Sequence, residues 1–403
     1  MNRIDISNVE MNLLHLIQLS ICSSSDVQLV HDNLNWSELY HEFRDQSLVA
    51  IPAPIISNLN MPQEVLSKWK HDILITFANN VRITSVQART VRLLDEAGIV
   101  YVIIKGMSVS QYYHEPRYRT QGDIDILVLR DQYAKAKEYL RQAGYQVNDK
   151  SEDERNIHIV CNGVTIELHK QFSSSYDAKN DKKLELYINN GIDRSERHIE
   201  GDISFPVLPA CENGIVILKH IQYHLSYGIG LRQVLDFIMY VDKVLDDNFW
   251  NEKFAKVASQ HNVAYLAMVI AKIGQRYFGL SNSLLWCQNV DDDDCEKFLR
   301  YVLAKGNMGK KTNLESNTIV NNLNARGGSI AELIEFEKQA GLRHSSLVQK
   351  YRLLQPLAPI IGVIHHFKTA RKFRVSTHEM TASFIRSRKQ HKFLKKIGAG
   401  KGY

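Results

Sequence analysis

The sequence predicts an α+β fold: a small mixed β-sheet flanked by N- and C-terminal helical regions. Three observations carry that reading. Short apolar runs rich in β-branched residues cluster between residues 99 and 172, which is the patterning of strands. On both sides of that stretch, apolar residues recur three and four apart, which is the patterning of helices. Inside it the order is strand, helix, strand, helix, strand, strand, which suits a mixed sheet with helices packed on one face.

The chain opens with Ser7-x-x-Glu10, the pattern of a capping box at the start of an amphipathic helix. Residues 9–22 are broadly apolar, but Glu10, His15 and Gln18 interrupt them, so no targeting segment is expected there. Residues 36–47 and 64–80 read as helices, with Pro52, Pro54 and Pro62 in the link between them. A further helix is expected from Val81 to Ala97, closed by Gly98 at the C′ position. Ile99 to Ile104 is then a buried strand that stops at Lys105-Gly106. Met107 to His114 predicts a short helix, whose N-terminus is a place for phosphate. Asp123 to Leu129 predicts a second strand, and Asp131 to Ala143 an amphipathic helix ended by Gly144. Tyr145 to Val147 is a short strand, and 149–154 an acidic linker. Asn156–Cys161 and Val164–Phe172 are two arms of a hairpin, joined by Asn162-Gly163.

Residues 173–200 read as polar and irregular, and Phe205 to Leu208 as an extended piece. One long helix is expected from Cys211 to Leu245. The four acids 291–294 suit the N-terminus of a helix at 295–304, where they complement the macrodipole. Gly306 to Gly328 is a polar, Asn-rich connection, and Ser329 to Ala340 a last predicted helix. This divides the chain into an N-terminal helical region (1–80), a catalytic core (81–175), a C-terminal helical domain (176–360) and a basic tail (361–403).

The chain has 403 residues, enough for two or three domains, and an apolar fraction of 44%, ordinary for a globular protein. Its five cysteines are odd in number and lack any C-x-x-C spacing. They are expected to be buried thiols in a reducing, cytoplasmic setting rather than zinc ligands or disulfides. The longest apolar run near the C-terminus, Leu357 to Ile364, is far too short to span a bilayer. The net charge of +6 belongs to one end. From His366 to Tyr403 there are eleven Lys or Arg and one acid, which leaves 39 basic and 43 acidic residues elsewhere.

The chemistry concentrates in the strands. Residues at i and i+2 share a face of a strand, so Asp123 and Asp125 point the same way while Ile124 and Ile126 enter the core. Two carboxylates so close repel, and a hard divalent cation is the simplest way to keep both ionised. Glu167 supplies a third acid from the hairpin, with His169 on its face. Further along, His220 and His224 are one helical turn apart, but no H-E-x-x-H pattern supports a metal there. Arg232 and Asp236 are also at i, i+4, the spacing of a simple ion pair.

The elements IIKG at 103–106, Tyr112-Tyr113, Pro116, Arg119, DIDILV at 123–128 and IELH at 166–169 together resemble a group of poorly characterised bacterial nucleotidyltransferases. That group belongs to the DNA polymerase β-like superfamily. The close match covers about 75 residues. One departure is the turn after the first strand, where the superfamily's usual Gly-Ser is Gly106-Met107-Ser108. The resemblance implies a nucleotidyltransferase-type sheet and an enzyme that transfers an NMP, or a related phosphoryl group, from ATP or another NTP to a hydroxyl of a small molecule or protein. It implies Mg²⁺, two ions or Mn²⁺ in their place, held by Asp123, Asp125 and Glu167. It also implies a nucleotide and phosphate site of Lys105, Gly106, Ser108, Arg119, His169, Arg232 and Asp236, with Arg232 facing the triphosphate and Asp236 holding it.

The alternative is a non-catalytic binding or scaffold module that docks to a membrane or polyanion through its basic tail. Three retained acids argue against it, and RNA as acceptor would need basic residues nearer the site. Leu353 to Phe373 is apolar and then basic, but Pro356 and Pro359 interrupt it. It is expected to be a helix packed on the domain, the other readings being an interfacial helix on anionic lipid and an RNA contact. Residues 376–403 are expected to be disordered, with weak contact to an anionic membrane or RNA as a secondary role.

Overall fold

The computed structural model describes residues 6–22, 34–153, 155–173, 180–225, 228–307, 310–311 and 345–372, with scattered positions from 334 to 342 and from 393 to 398. At its centre is one mixed sheet of seven strands in the order β3-β4-β5-β2-β1-β7-β6. The strands are β1 (Tyr101–Ile104), β2 (Ile124–Val128), β3 (Gln146–Asn148), β4 (Asn156–Cys161), β5 (Val164–His169), β6 (Glu196–Glu200) and β7 (Ile203–Val207). β1 pairs antiparallel with β2, and β2 pairs parallel with β5.

The α+β expectation holds. The β4–β5 hairpin turns at Asn162-Gly163, both with positive φ, as a tight primed turn requires. One helix and one strand were not legible. Residues 173–200 contain helix α6 (Asn180–Ile192) and edge strand β6, which forms a hairpin with β7 across Gly201. β6 alternates poorly because it lies at an edge and is mostly exposed.

The helical boundaries differ in instructive ways. α1 (Asn8–Ile21) has the expected Ser7–Glu10 capping box, and α2 (Trp36–Asp45) is capped by Asn35. The two helices expected over 64–97 are one rod, α3 (Gln63–Glu96), since no Pro or Gly interrupts it. It runs unbroken past residue 80. Gly98 ends it with φ +60°, and Ile99 N–H returns to the Leu94 carbonyl. The short helix after β1 is only α4 (Gly106–Ser110), too brief for a macrodipole to matter, and α5 (Tyr133–Gln142) follows β2.

The helix expected over 211–245 is two, α7 (Ala210–His224) and α8 (Leu231–Val244). Gly228 takes φ +106°, and a Cβ on Gly230 would lie 2.7 Å from the Asn307 backbone, so only glycine lets the chain turn here. The acids at 291–294 sit as expected at the start of the helix Asp292–Lys305. The connection and helix expected over 306–340 lie largely outside the described residues.

The sheet separates two cores. On one face Ile124, Ile126, Ile166 and Leu168 pack with Ile83, Val86 and Leu94 of α3 and Leu140 of α5. On the other, Val102, Ile104 and Leu127 join the large core built by α1, α2, α7 and α8. That second face is the one on which Asp125 and Glu167 stand. The helical region and the sheet therefore enclose the space into which the acids point.

Among the described residues no helix is long and apolar enough to cross a membrane. Cys161, Cys211, Cys287 and Cys295 are buried free thiols, as expected, whereas Cys22 is exposed. Most of 376–403 lies outside the described residues. The part that is described departs from the expected disorder: Ile397 is buried, Lys396 pairs with Asp294, and the Gly398 carbonyl accepts from Gln222 Nε2 at 2.8 Å.

Candidate active site

Strand register assembles the acids. Asp125 is the Cα partner of Glu167 across the parallel β2–β5 ladder, and of Ile104 across β1–β2. Glu167 in turn faces His158, and His169 faces Asn156, across β4–β5. Residues directly opposite in a ladder share a face. The sequence therefore needs only the i, i+2 spacing and these registers to place Asp125, Glu167 and His169 side by side.

His169 Nε2 lies 3.0 Å from Asp125 Oδ1 and 3.3 Å from Glu167 Oε2. Asn156 Nδ2 donates to Glu167 Oε2 at 3.1 Å, a contact the sequence reading missed although Asn156 stands opposite His169. One ligand atom from each of Asp125, Glu167 and His169 fits within 4.8 Å of the others. That compact cluster contains His169, not Asp123. Asp123 precedes the first ladder residue of β2 and is exposed at the cleft's edge.

Lys105 completes the acid side. Its Nζ donates to Asp125 Oδ1 at 2.6 Å, so it is neither a solvated strand end nor a free phosphate ligand. Its backbone is held at φ +54°, ψ −152°, a region nearly reserved for glycine. The Ser108 N–H and Oγ both donate to the Lys105 carbonyl at 2.8 Å, which pins the strained turn. Ser108 is fully buried beneath that turn and is not among the residues lining the cleft. Gly106, with φ +40°, lets the chain reverse into α4.

The charges follow the geometry. Burial by itself would raise the Asp125 carboxyl, but the Lys105 ammonium and the His169 hydrogen bond together hold it below the usual carboxylate range. His169 likewise lowers Glu167. Asp123 is pushed up, chiefly by the negative charge of Asp125 and then by the protein that crowds the cleft side of its otherwise exposed carboxyl. Burial alone would lower Lys105, but Asp125 and Glu167 outweigh it and raise it.

The opposite wall belongs to the helices and is cationic. Arg119 is buried and grips Asp236 of α8 through Nε and Nη2, at 2.7 and 2.8 Å, while Tyr113 donates to the same carboxylate at 2.8 Å. This corrects the expected pairing: Asp236 holds Arg119, not Arg232. The i, i+4 spacing permits an Arg232–Asp236 contact, but two donors from other elements take the carboxylate first. Arg232 instead donates Nη1 to the Thr120 carbonyl at 3.2 Å, and its Nε is buried without a hydrogen-bond partner. Asn80 of α3 ties this loop down by donating to the Arg117 and Arg119 carbonyls, at 3.0 and 2.9 Å.

His220 and His224 pack edge to face on α7, with ring centroids 4.4 Å apart. Burial, then the charges of Lys105 and Arg232, press His224 down to about 3, so it is neutral. Neither histidine belongs to the acid cluster.

Between the two walls lies a cleft of about 580 Å³, ample for a nucleotide. Asp123, Asp125, Glu167, His169, Lys105, Gly106, Arg119, Arg232 and Asp236 all line it. Arg155, Lys219 and Tyr223 line it too, and no motif announced them. The donor set suits a divalent cation: oxygen ligands dominate, and three acids outnumber the one lysine that reaches them.

No curated protein matches the chain. A family model described as "Uncharacterised nucleotidyltransferase" matches residues 32–279, which include the whole sheet, the cleft and α7 and α8. The chain belongs to that family of nucleotidyltransferases.

Proposed function

We propose that the protein transfers an NMP from an NTP to a hydroxyl of a small molecule or protein, with Mg²⁺ or Mn²⁺ as cofactor. One observation carries this reading: across a nucleotide-sized cleft the acids on the sheet face an arginine, Arg232, that makes no salt bridge among the described residues and whose buried Nε has no hydrogen-bond partner. Asp125, Glu167 and His169 would hold the metal, with Asp123 at the edge for a second ion. When bound, such ions neutralise the α-phosphoryl group and lower the pKa of the acceptor hydroxyl.

The chain's own groups do the rest. Lys105 keeps Asp125 ionised before metal arrives. His169 keeps Glu167 ionised, which favours Glu167 as a metal ligand over a proton acceptor, since a lowered pKa makes a weaker base. Arg232 feels the charges of Asp236 and Asp123 but makes no direct ion pair among the described residues, and it receives phosphate oxygens. Arg119 is already paired with Asp236, so it shapes that wall more than it binds. The neutral histidines of α7 can hydrogen-bond sugar or acceptor hydroxyls without adding charge.

The test is thermal shift with each of the four NTPs, with and without Mg²⁺ or Mn²⁺, followed by transfer assays with the NTP that binds. A ligand that binds the folded state alone raises the melting temperature. A metal-dependent rise with at least one NTP is expected, and no rise with any of them would sink the proposal.

A further inference from the structure

The two ends of the cleft differ. β2 and β5 run parallel, so both begin at one end of it and finish at the other. Arg232 reaches the Thr120 carbonyl, in the loop that enters β2, beside the Arg119–Asp236 pair. Arg155 stands at the far end. It leads into β4, and its carbonyl accepts from the N–H of Lys170, just past the end of β5, at 2.8 Å. Its guanidinium lies over the ring of Tyr223 of α7, 5.2 Å from the centroid, and that stack joins the sheet wall to the helical wall. Arg155 is half-buried and lines the cleft, yet among the described residues its guanidinium makes no salt bridge and no hydrogen bond. Lys219, one turn before Tyr223 on α7, also lines the cleft and donates to the neutral Gln222 amide at 2.6 Å. The acids that line the cleft, Asp123, Asp125, Glu167 and Asp236, belong to the acid cluster, its edge or the Arg119 pair. Glu185 lies behind the far end and is taken up by the N–H groups of Phe172 and Ser173. The far end is therefore positive.

In nucleotidyl transfer the attacking and leaving oxygens stand roughly in line through the α-phosphorus. The acceptor oxygen forms its bond to that phosphorus as the bond to the bridging oxygen of pyrophosphate breaks, and the hydroxyl proton goes to water. With the pyrophosphate leaving toward Arg232, the acceptor enters from the Arg155 end. We infer that the acceptor is a small molecule carrying an anionic group, a carboxylate or a phosphate, besides its hydroxyl, and that Arg155 and Lys219 hold that group. The inference rests on the transfer reading and on Arg232 as the ligand of the triphosphate. A guanidinium laid flat on a ring keeps its edge N–H groups for two oxygens of one anion. A cationic acceptor would be repelled here, and a polymer threading the cleft would meet the Arg155–Tyr223 bridge.

The test uses the full-length protein with the metal and the NTP that raise its melting temperature. Glycerol, glycerate, glycerol phosphate and the cationic aminopropanediol are compared as acceptors by pyrophosphate release. At least one anionic probe should exceed glycerol by about tenfold or more in kcat/KM, with the amine below glycerol. Which anion leads tells carboxylate from phosphate. Arg155→Met should remove the advantage by raising KM for the anion, and Arg155→Lys, which keeps the charge, should restore part of it. A packing defect alone would not sort the probes by charge. The NTP-induced rise is read first: its absence in the wild type sinks the transfer reading, whereas its presence leaves only the acceptor in question. No use of either anion, a preference for glycerol, the amine or an oligoribonucleotide, or an Arg155→Met variant that keeps the advantage would overturn the inference. So would an Arg155→Met variant that loses the NTP-induced rise, which would put Arg155 on the triphosphate.

Discussion

The two walls of the cleft are built by different physics. On the sheet wall, Asp125 and Glu167 come together through strand register, and their close neighbours are one or two ladder positions away. On the helical wall, Arg119 and Asp236 are 117 residues apart and meet only because the core seats α8 beside the loop after α4. The first wall gathers like charges and needs a counter-charge. The second gathers cations and leaves one of them, Arg232, without a direct ion pair among the described residues. Chemistry is therefore expected to depend on the first wall and substrate affinity on the second.

The largest effect should come from Asp125→Asn. Turnover should fall by more than about a thousandfold, as when a central catalytic group is removed. Stability should also fall, by roughly 1–3 kcal/mol, because Lys105 loses its buried charged partner. Asp123→Asn should also abolish turnover but leave stability unchanged or slightly higher, since repulsion from Asp125 is the largest electrostatic influence on Asp123 and outweighs its attraction to Lys105. Near wild-type transfer by either variant, or equal stability losses in chemical denaturation, would break the assignment.

Glu167→Gln should lose at least about a hundredfold in rate. Raising the metal concentration should restore part of that loss if Glu167 is a ligand. A loss that metal titration leaves unchanged would make it a base instead. No loss at all would place the third acid elsewhere, although Glu152, a near alternative, is already engaged by Lys137 and Lys170.

On the opposite wall, Arg232→Ala should raise KM for the NTP, by about tenfold, more than it lowers kcat, as loss of uniform phosphate binding does. An unchanged KM in steady-state kinetics would remove Arg232 from the site.

The smallest effect concerns pH. His224 is depressed to about 3 when folded, against an ordinary value near 6.5. Above pH ~6.5 it is neutral folded or unfolded, and it does not affect stability. As pH falls below that, the unfolded chain takes up a proton that the folded chain refuses, so stability drops. Between about pH 6.5 and 5 the loss should approach 2 kcal/mol. Asp125 and Glu167, also depressed, add a further loss only at and below the carboxylate range. Melting temperature followed against pH should fall more gently in His224→Asn. An identical profile would show that another group carries the acid sensitivity.

Much of the sheet wall was legible in the sequence, because its information is local. The period of two put Asp125 on the face opposite Ile124 and Ile126, and Asn162-Gly163 set the hairpin that carries Glu167. Strand β6 was not legible, since an exposed edge gives little alternation to read. Nor was the break between α7 and α8. Gly228 and Gly230 are visible in the sequence, but a helix tolerates an isolated glycine unless something packs against it.

By itself, then, the sequence determined which acids share a face, where the main strands lie and where the positive charge is stored. Only the tertiary structure decided who neutralises whom. It gave Asp125 to Lys105, Asp236 to Arg119 rather than to its helical neighbour Arg232, and a place in the acid cluster to His169. Periodicity fixes the direction of a side chain within one element. The partner of a buried charge depends on which elements the core brings together, and no local pattern encodes that.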